Sequence, residues 1–184
     1  MIVSIGSNCT PRLQKDKVLN YNGETHLFDW LITGHIKIPG SLDFIEQKLS
    51  SALSIKNVNN ILQTKEFNIN DYYYHPKYEH ARTTNKIFPP EHCPILHKDF
   101  ISLHDLNWDK LNLNQVNDTL NRRLRRFKHI IKNEHKIIFV RIEFMQFNLN
   151  EYNDFITIIK RMNPNLIFEI TIVSKINHNP NNNK

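Results

Sequence analysis

The most constraining part of this 184-residue chain lies near its end, where two apolar runs bracket an amphipathic segment. Residues 136–142 carry Ile137, Ile138, Phe139 and Val140 in succession, and residues 166–173 read as another strand. Uninterrupted apolar runs, rather than alternating ones, predict strands covered on both faces, the habit of parallel sheets. Residues 151–162, between them, have helical periodicity and are closed by Asn163-Pro164. Strand, helix and strand with short links predict a right-handed βαβ unit. The expected fold class is therefore α/β, three-layer, with a mainly parallel central sheet flanked by helices.

The first nine residues supply another strand of the same kind. Ile2, Val3 and Ile5 form a short β-branched run, and Gly6 then permits a sharp turn. Thr10-Pro11 follows, an N-cap residue with proline at the first helical position. Cys9 is thus expected at a strand-to-helix turn near the positive end of a helix dipole, where the thiolate is favoured. The plainer alternative is a small buried hydrophobe, the commonest fate of a free cysteine.

Between these ends the chain reads as follows. Residues 11–19 predict a short helix and residues 20–23 a turn. Residues 27–32 are apolar enough to be buried, which makes Asp29 the odd member; it either needs a partner inside or caps a helix starting at Trp30. Residues 41–53 predict an amphipathic helix, and residues 54–67 suit a helix or a short strand. Residues 68–94 are aromatic and proline-punctuated. They read as a surface loop pinned by its rings, with a functional lid as the alternative. Phe100, Ile101 and Leu103 predict a strand that delivers His104 near its end. Residues 114–132 predict a second strong helix, with Val116, Leu120, Leu124, Phe127 and Ile131 on one face.

Length fits a single domain over residues 1–176, with a low-complexity, disordered tail at 177–184. Two cysteines, Cys9 and Cys93, are too few for a disulfide framework, and no apolar run approaches a membrane span. The expectation is a cytoplasmic protein without a membrane segment. Lys and Arg total 24 against 18 Asp and Glu, a formal charge of +6, much of it in the arginines of residues 122–126. No recognised nucleic-acid motif accompanies that charge, so it reads as a solvated helix face before it reads as a nucleic-acid surface.

In an open parallel sheet, ligands bind beyond the carboxyl ends of the strands. Cys9 follows the first strand, His104 ends the second candidate, and Arg141 and Glu143 close the third. A cysteine, a histidine and an acid at one edge make a nucleophile, its base and an orienting group. Asp29 is the preferred orienter, because Asp105 neighbours His104 and would point to the opposite face of a strand. Asn8 and Ser7, with nearby backbone N–H groups, are candidates for an oxyanion hole, and Arg141 and Glu143 for oxyanion or substrate contacts.

Ser4-Ile5-Gly6-Ser7-Asn8-Cys9, Phe28-Asp29-Trp30-Leu31, His104-Asp105, Arg123-x-x-Arg126-Phe127 and Phe139-Val140-Arg141, in that order, resemble a family of bacterial and viral proteins known as papain-like cysteine peptidases. The resemblance implies Cys9 as nucleophile, His104 as base, a peptide or small amide or ester substrate, and no cofactor. The order differs from papain, since Asp29 precedes His104, and the βαβ ending looks closer to a doubly wound hydrolase with Ser7 as an alternative nucleophile. Three rival readings stand beside it. One is a metal site at His92, Cys93 and His97, though the spacing matches no standard zinc pattern. Another is a non-catalytic module binding an anionic or peptide partner through Arg123 and Arg126. The last is acyl or glycan transfer on the same Cys–His pair.

Overall fold

The computed structural model describes residues 1–6, 26–29, 31–32, 55–72, 95–97, 99–102, 113–143 and 148–174. The sequence-predicted helices at 11–19 and 41–53, most of the 68–94 loop and the tail lie outside these residues.

A parallel sheet organises the rest. Strand β1 (Ile2–Ser4) pairs with β5 (Lys136–Glu143), which pairs with β6 (Ile167–Ser174), so β5 is the middle strand. Both pairs are parallel, with Val3 opposite Phe139 and Phe139 opposite Ile170. Side chains at alternate positions share a face, and here Val3, Ile5, Ile137, Phe139 and Arg141 are wholly buried together. Helix α3 (Leu149–Met162) covers this face, its Phe155 meeting Phe139 edge-on at 5.3 Å. The α/β class with a parallel sheet and packed helices stands as expected.

The opposite face is graded. Ser4 and Ile142 are buried, whereas Ile167 and Val173 on β6 are about half exposed. Strand β6 is covered on one face only, in keeping with the alternation of Phe168, Ile170 and Ile172 with Glu169 and Thr171. Its inward residues, Phe168, Ile170 and Ile172, are themselves only partly buried against the core.

Helix α2 (Leu113–Asn133) buries the predicted stripe of Val116, Leu120, Leu124, Phe127 and Ile131. The ambiguous 54–67 stretch resolves as helix α1 (Ile55–Gln63), with Ile55, Val58, Ile61 and Leu62 inward. Caps explain where α3 begins and ends. The Asn148 side chain accepts from the N–H groups of Asn150 and Glu151, so the helix starts two residues before the sequence suggests. Asn163 Nδ2 donates to the carbonyls of Ile131 at 2.9 Å and Lys132 at 3.3 Å, satisfying the end of α2 from the end of α3.

A second, antiparallel sheet is built from β2 (Leu31–Ile32), β3 (Ile95–Leu96) and β4 (Ile101–Ser102), in the order β2-β4-β3. This corrects two expectations. No helix begins at Trp30, because the chain enters β2 at Leu31. The strand leading to His104 belongs to this antiparallel ribbon rather than to the parallel sheet. A turn closed by His97 N–H to Phe100 O at 2.9 Å joins β3, which the sequence did not predict, to the predicted strand at β4 as a hairpin.

Candidate functional site

At the carboxyl edge of the parallel sheet, β1 ends at Ser4 while Ile5 N–H still donates to Val140 O at 3.0 Å. The next rung is missing. The Ile5 carbonyl accepts instead from Arg141 Nη1 at 3.1 Å. Gly6 then turns the chain at φ 86°, in the region that favours glycine, with its N–H donating to Ser4 Oγ at 3.3 Å.

Arg141 has a relative exposure of 0% and Glu143 of 4%. Two buried charges need each other, because an unpaired one would be strongly disfavoured. Arg141 Nε donates to Glu143 Oε2 at 2.8 Å, and Tyr152 Oη on α3 donates to the same oxygen at 3.2 Å. Glu143 Oε1 has no hydrogen-bond partner among the described residues. Burial pushes the Tyr152 phenol well above its ordinary range; the Arg141 charge opposes that rise and Glu143 adds to it.

Asp29 is fully buried at the end of the 3-10 turn Leu27–Asp29. Its Oδ2 accepts from His26 N–H at 2.7 Å, three residues back, which is the reach-back half of a capping box. The carboxylate therefore does cap, but the turn before it. Phe28 beside it packs edge-on against Phe127 of α2 at 5.0 Å and so anchors the turn to the core.

A third group of buried polar residues lies at the hairpin. His97 stacks on Phe100 with centroids 4.5 Å apart and meets Phe67 edge-on. Its Nδ1 accepts from Asp99 N–H at 3.1 Å, and Asp99 Oδ1 accepts from Asn60 Nδ2 at 2.9 Å. Asn121 of α2 bonds both the N–H and the carbonyl of Phe67, at 2.7 and 3.0 Å. Tyr72, the first aromatic of the 68–94 stretch, is buried and donates to Asn117 Oδ1 at 2.9 Å. Burial, reinforced by Asp71, raises its phenol.

Of the residues singled out from sequence, Asp29, Arg141 and Glu143 are described and buried. Ser7, Asn8, Cys9 and His104 lie outside the described residues, as do His92 and Cys93 of the metal reading. Among the described residues no group of three His, Cys, Asp or Glu side chains is arranged to hold a metal ion. No helix among them is long and apolar enough to cross a membrane. The basic helix is partly turned to internal use: Lys128 Nζ donates to Thr64 O, and Arg125 lies 3.6 Å from Glu66. Sequence reasoning missed Tyr152 and Asn121. Nothing local marks Tyr152, but Asn121 sits on the apolar stripe of α2, and a polar residue there is a signal for a buried hydrogen-bond role.

These features define an α/β protein whose first strand leaves a parallel sheet through a glycine turn pinned by a buried guanidinium–carboxylate pair. The chain belongs to the family described as "Putative papain-like cysteine peptidase", whose model matches residues 1–178. No curated protein and no solved structure matches it.

Proposed function

We propose that the protein is a cysteine-dependent hydrolase of peptide or small amide or ester bonds. Cys9 Sγ attacks the substrate carbonyl carbon while His104 takes the thiol proton. His104 then returns that proton to the leaving group, and water cleaves the resulting thioester. Asp29 orients the imidazole, and Asn8 and Ser7 supply donors to the oxyanion. Arg141 and Glu143 stand at the carboxyl edge of the parallel sheet, where β1 ends.

The observation that carries this reading is the register of the antiparallel ribbon. Leu31 lies opposite Ser102 and Ile32 opposite Ile101. Asp29 is two residues before Leu31, and His104 is two residues after Ser102, so chain connectivity holds both near that rung. Two residues span at most about 7 Å, which keeps both positions close to that rung. Asp29 uses one oxygen for His26, and a carboxylate has capacity for more than one donor. On the other side, Cys9 follows Gly6 by three residues, a reach of at most about 11 Å from the carboxyl edge. The hydrophobic cluster that runs from Val3 to Leu166 supports treating residues 1–176 as one domain.

The test is the rate of Cys9 alkylation against pH, with Cys93 as the control thiol in the same molecule. The expected result is a low inflection at Cys9 that is lost in His104→Ala and shifted in Asp29→Asn. Slow, parallel labelling of both thiols would overturn the reading.

A further inference from the structure

The Ile5–Gly6 peptide is gripped at both ends. Its carbonyl accepts from Arg141 Nη1 at 3.1 Å, and its N–H donates to Ser4 Oγ at 3.3 Å. A peptide unit is planar, so fixing its oxygen and its hydrogen, with Ile5 itself tied to the sheet through its N–H to Val140 O, fixes the plane. With Gly6 at φ 86°, that plane sets the direction in which the chain leaves the sheet toward Ser7, Asn8 and Cys9. The guanidinium is in turn fixed by Glu143, and Glu143 by Tyr152 of α3. A wholly buried arginine with these internal bonds is poorly suited to touching a substrate, but well suited to holding a backbone.

We infer that Arg141, braced by Glu143 and Tyr152, is a positioning residue that clamps the Ile5–Gly6 peptide and thereby sets the reactivity of the Cys9 thiol. The clamp replaces the ladder bond that β5 would otherwise offer Ile5, so the sheet stops there and the turn starts. Because Glu143 offsets the charge, the guanidinium acts on the thiol through geometry more than through its field. The inference rests on the hydrolase reading for its catalytic meaning, and on the two bonds to one peptide for its mechanics.

The experiment compares the full-length protein with Arg141→Met and Arg141→Lys. Two readouts are taken: hydrogen exchange of the amides of residues 6–9, and the pH profile of Cys9 alkylation by iodoacetamide, with Cys93 as control. Arg141→Met should speed exchange of those amides about tenfold or more while the amides of α2 stay protected. It should also raise the Cys9 inflection by about one pH unit, a tenfold loss of thiolate at fixed pH. Arg141→Lys, which keeps a cationic donor, should recover part of both, and Cys93 should not change. Unchanged exchange and an unchanged Cys9 profile in folded Arg141→Met would overturn the inference. Faster exchange in a protein whose wild-type Cys9 shows no low inflection would sink the hydrolase reading and, with it, the catalytic role of the clamp. If Arg141→Met does not fold, Tyr152→Phe keeps the ion pair and removes one brace, and the same two readouts decide in the same direction.

Discussion

The carboxyl edge of the parallel sheet and the hairpin of the antiparallel ribbon both bury polar groups, and they do so by different means. At the edge, Arg141 and Glu143 are charged, buried and joined at 2.8 Å. At the hairpin the buried acid, Asp99, accepts from the neutral amide of Asn60 where Glu143 has a guanidinium, and the neutral amide of Asn121 holds Phe67 beside the rings of Tyr72, His97 and Phe100. Charge fixes a backbone strongly but leaves a heavily penalised group behind if either partner goes. Neutral amides hold less firmly, and their loss is penalised less. The edge is therefore built for rigidity at one peptide, and the hairpin for distributed packing.

The largest expected effect breaks the edge. Arg141→Met strands Glu143 in the core and should lower stability by about 3–5 kcal/mol in a urea titration. The pairing logic is sharpened by Arg141→Met combined with Glu143→Leu. Removing both charges should recover most of that loss, since apolar replacements of buried pairs are often near neutral. A double variant as unstable as the single one would mean that the Ile5 carbonyl bond matters more than the ion pair.

At the hairpin, Asn121→Ala removes both bonds to Phe67 and leaves its buried N–H and carbonyl without partners. A loss of about 2–4 kcal/mol is expected, measured the same way. Should it exceed the Arg141→Met effect, the contrast between the two regions would be reversed.

Tyr152→Phe is smaller, about 1 kcal/mol near neutral pH, for one hydrogen bond to a carboxylate. Its pH dependence carries a definite sign. The folded phenol titrates above the unfolded one, so its contribution is complete below about pH 10 and is lost as pH rises toward the folded value. Wild type should therefore lose stability above pH 10 more steeply than Tyr152→Phe. Burial, and then the neighbouring charge of Lys132, both hold Lys128 below its ordinary value, so its effect on stability runs with pH in the opposite sense to that of Tyr152. It is common to both proteins and cancels in the difference. The smallest effect belongs to the solvent-exposed pair of Arg125 and Glu66: Arg125→Ala should change stability by no more than about 0.5 kcal/mol, falling further with salt.

The parallel strands were legible because their apolar runs are long enough to rise above local noise. Helix α2 was legible because five buried residues recur at its period. Strand β3 was missed, and the hairpin with it, because the turn His97-Lys98-Asp99-Phe100 contains neither glycine nor proline; a backbone bond and ring stacking close it instead. Asp29 was recognised as anomalous, and capping was considered, but in the wrong direction. A carboxylate can reach back three residues as readily as it can cap forward, and composition does not choose between these.

What the sequence determined by itself was the strands β1, β5 and β6, the helices α2 and α3, and the presence of charge at Asp29, Arg141 and Glu143, since periodicity and burial propensity are local properties. Which sheet each strand joined, and the meeting of Arg141 with the carbonyl of Ile5 across 136 positions of chain, were decided only by the tertiary structure. A hydrogen bond between such distant residues exists only once the strands on either side have paired, so nothing near either residue in the sequence could announce it.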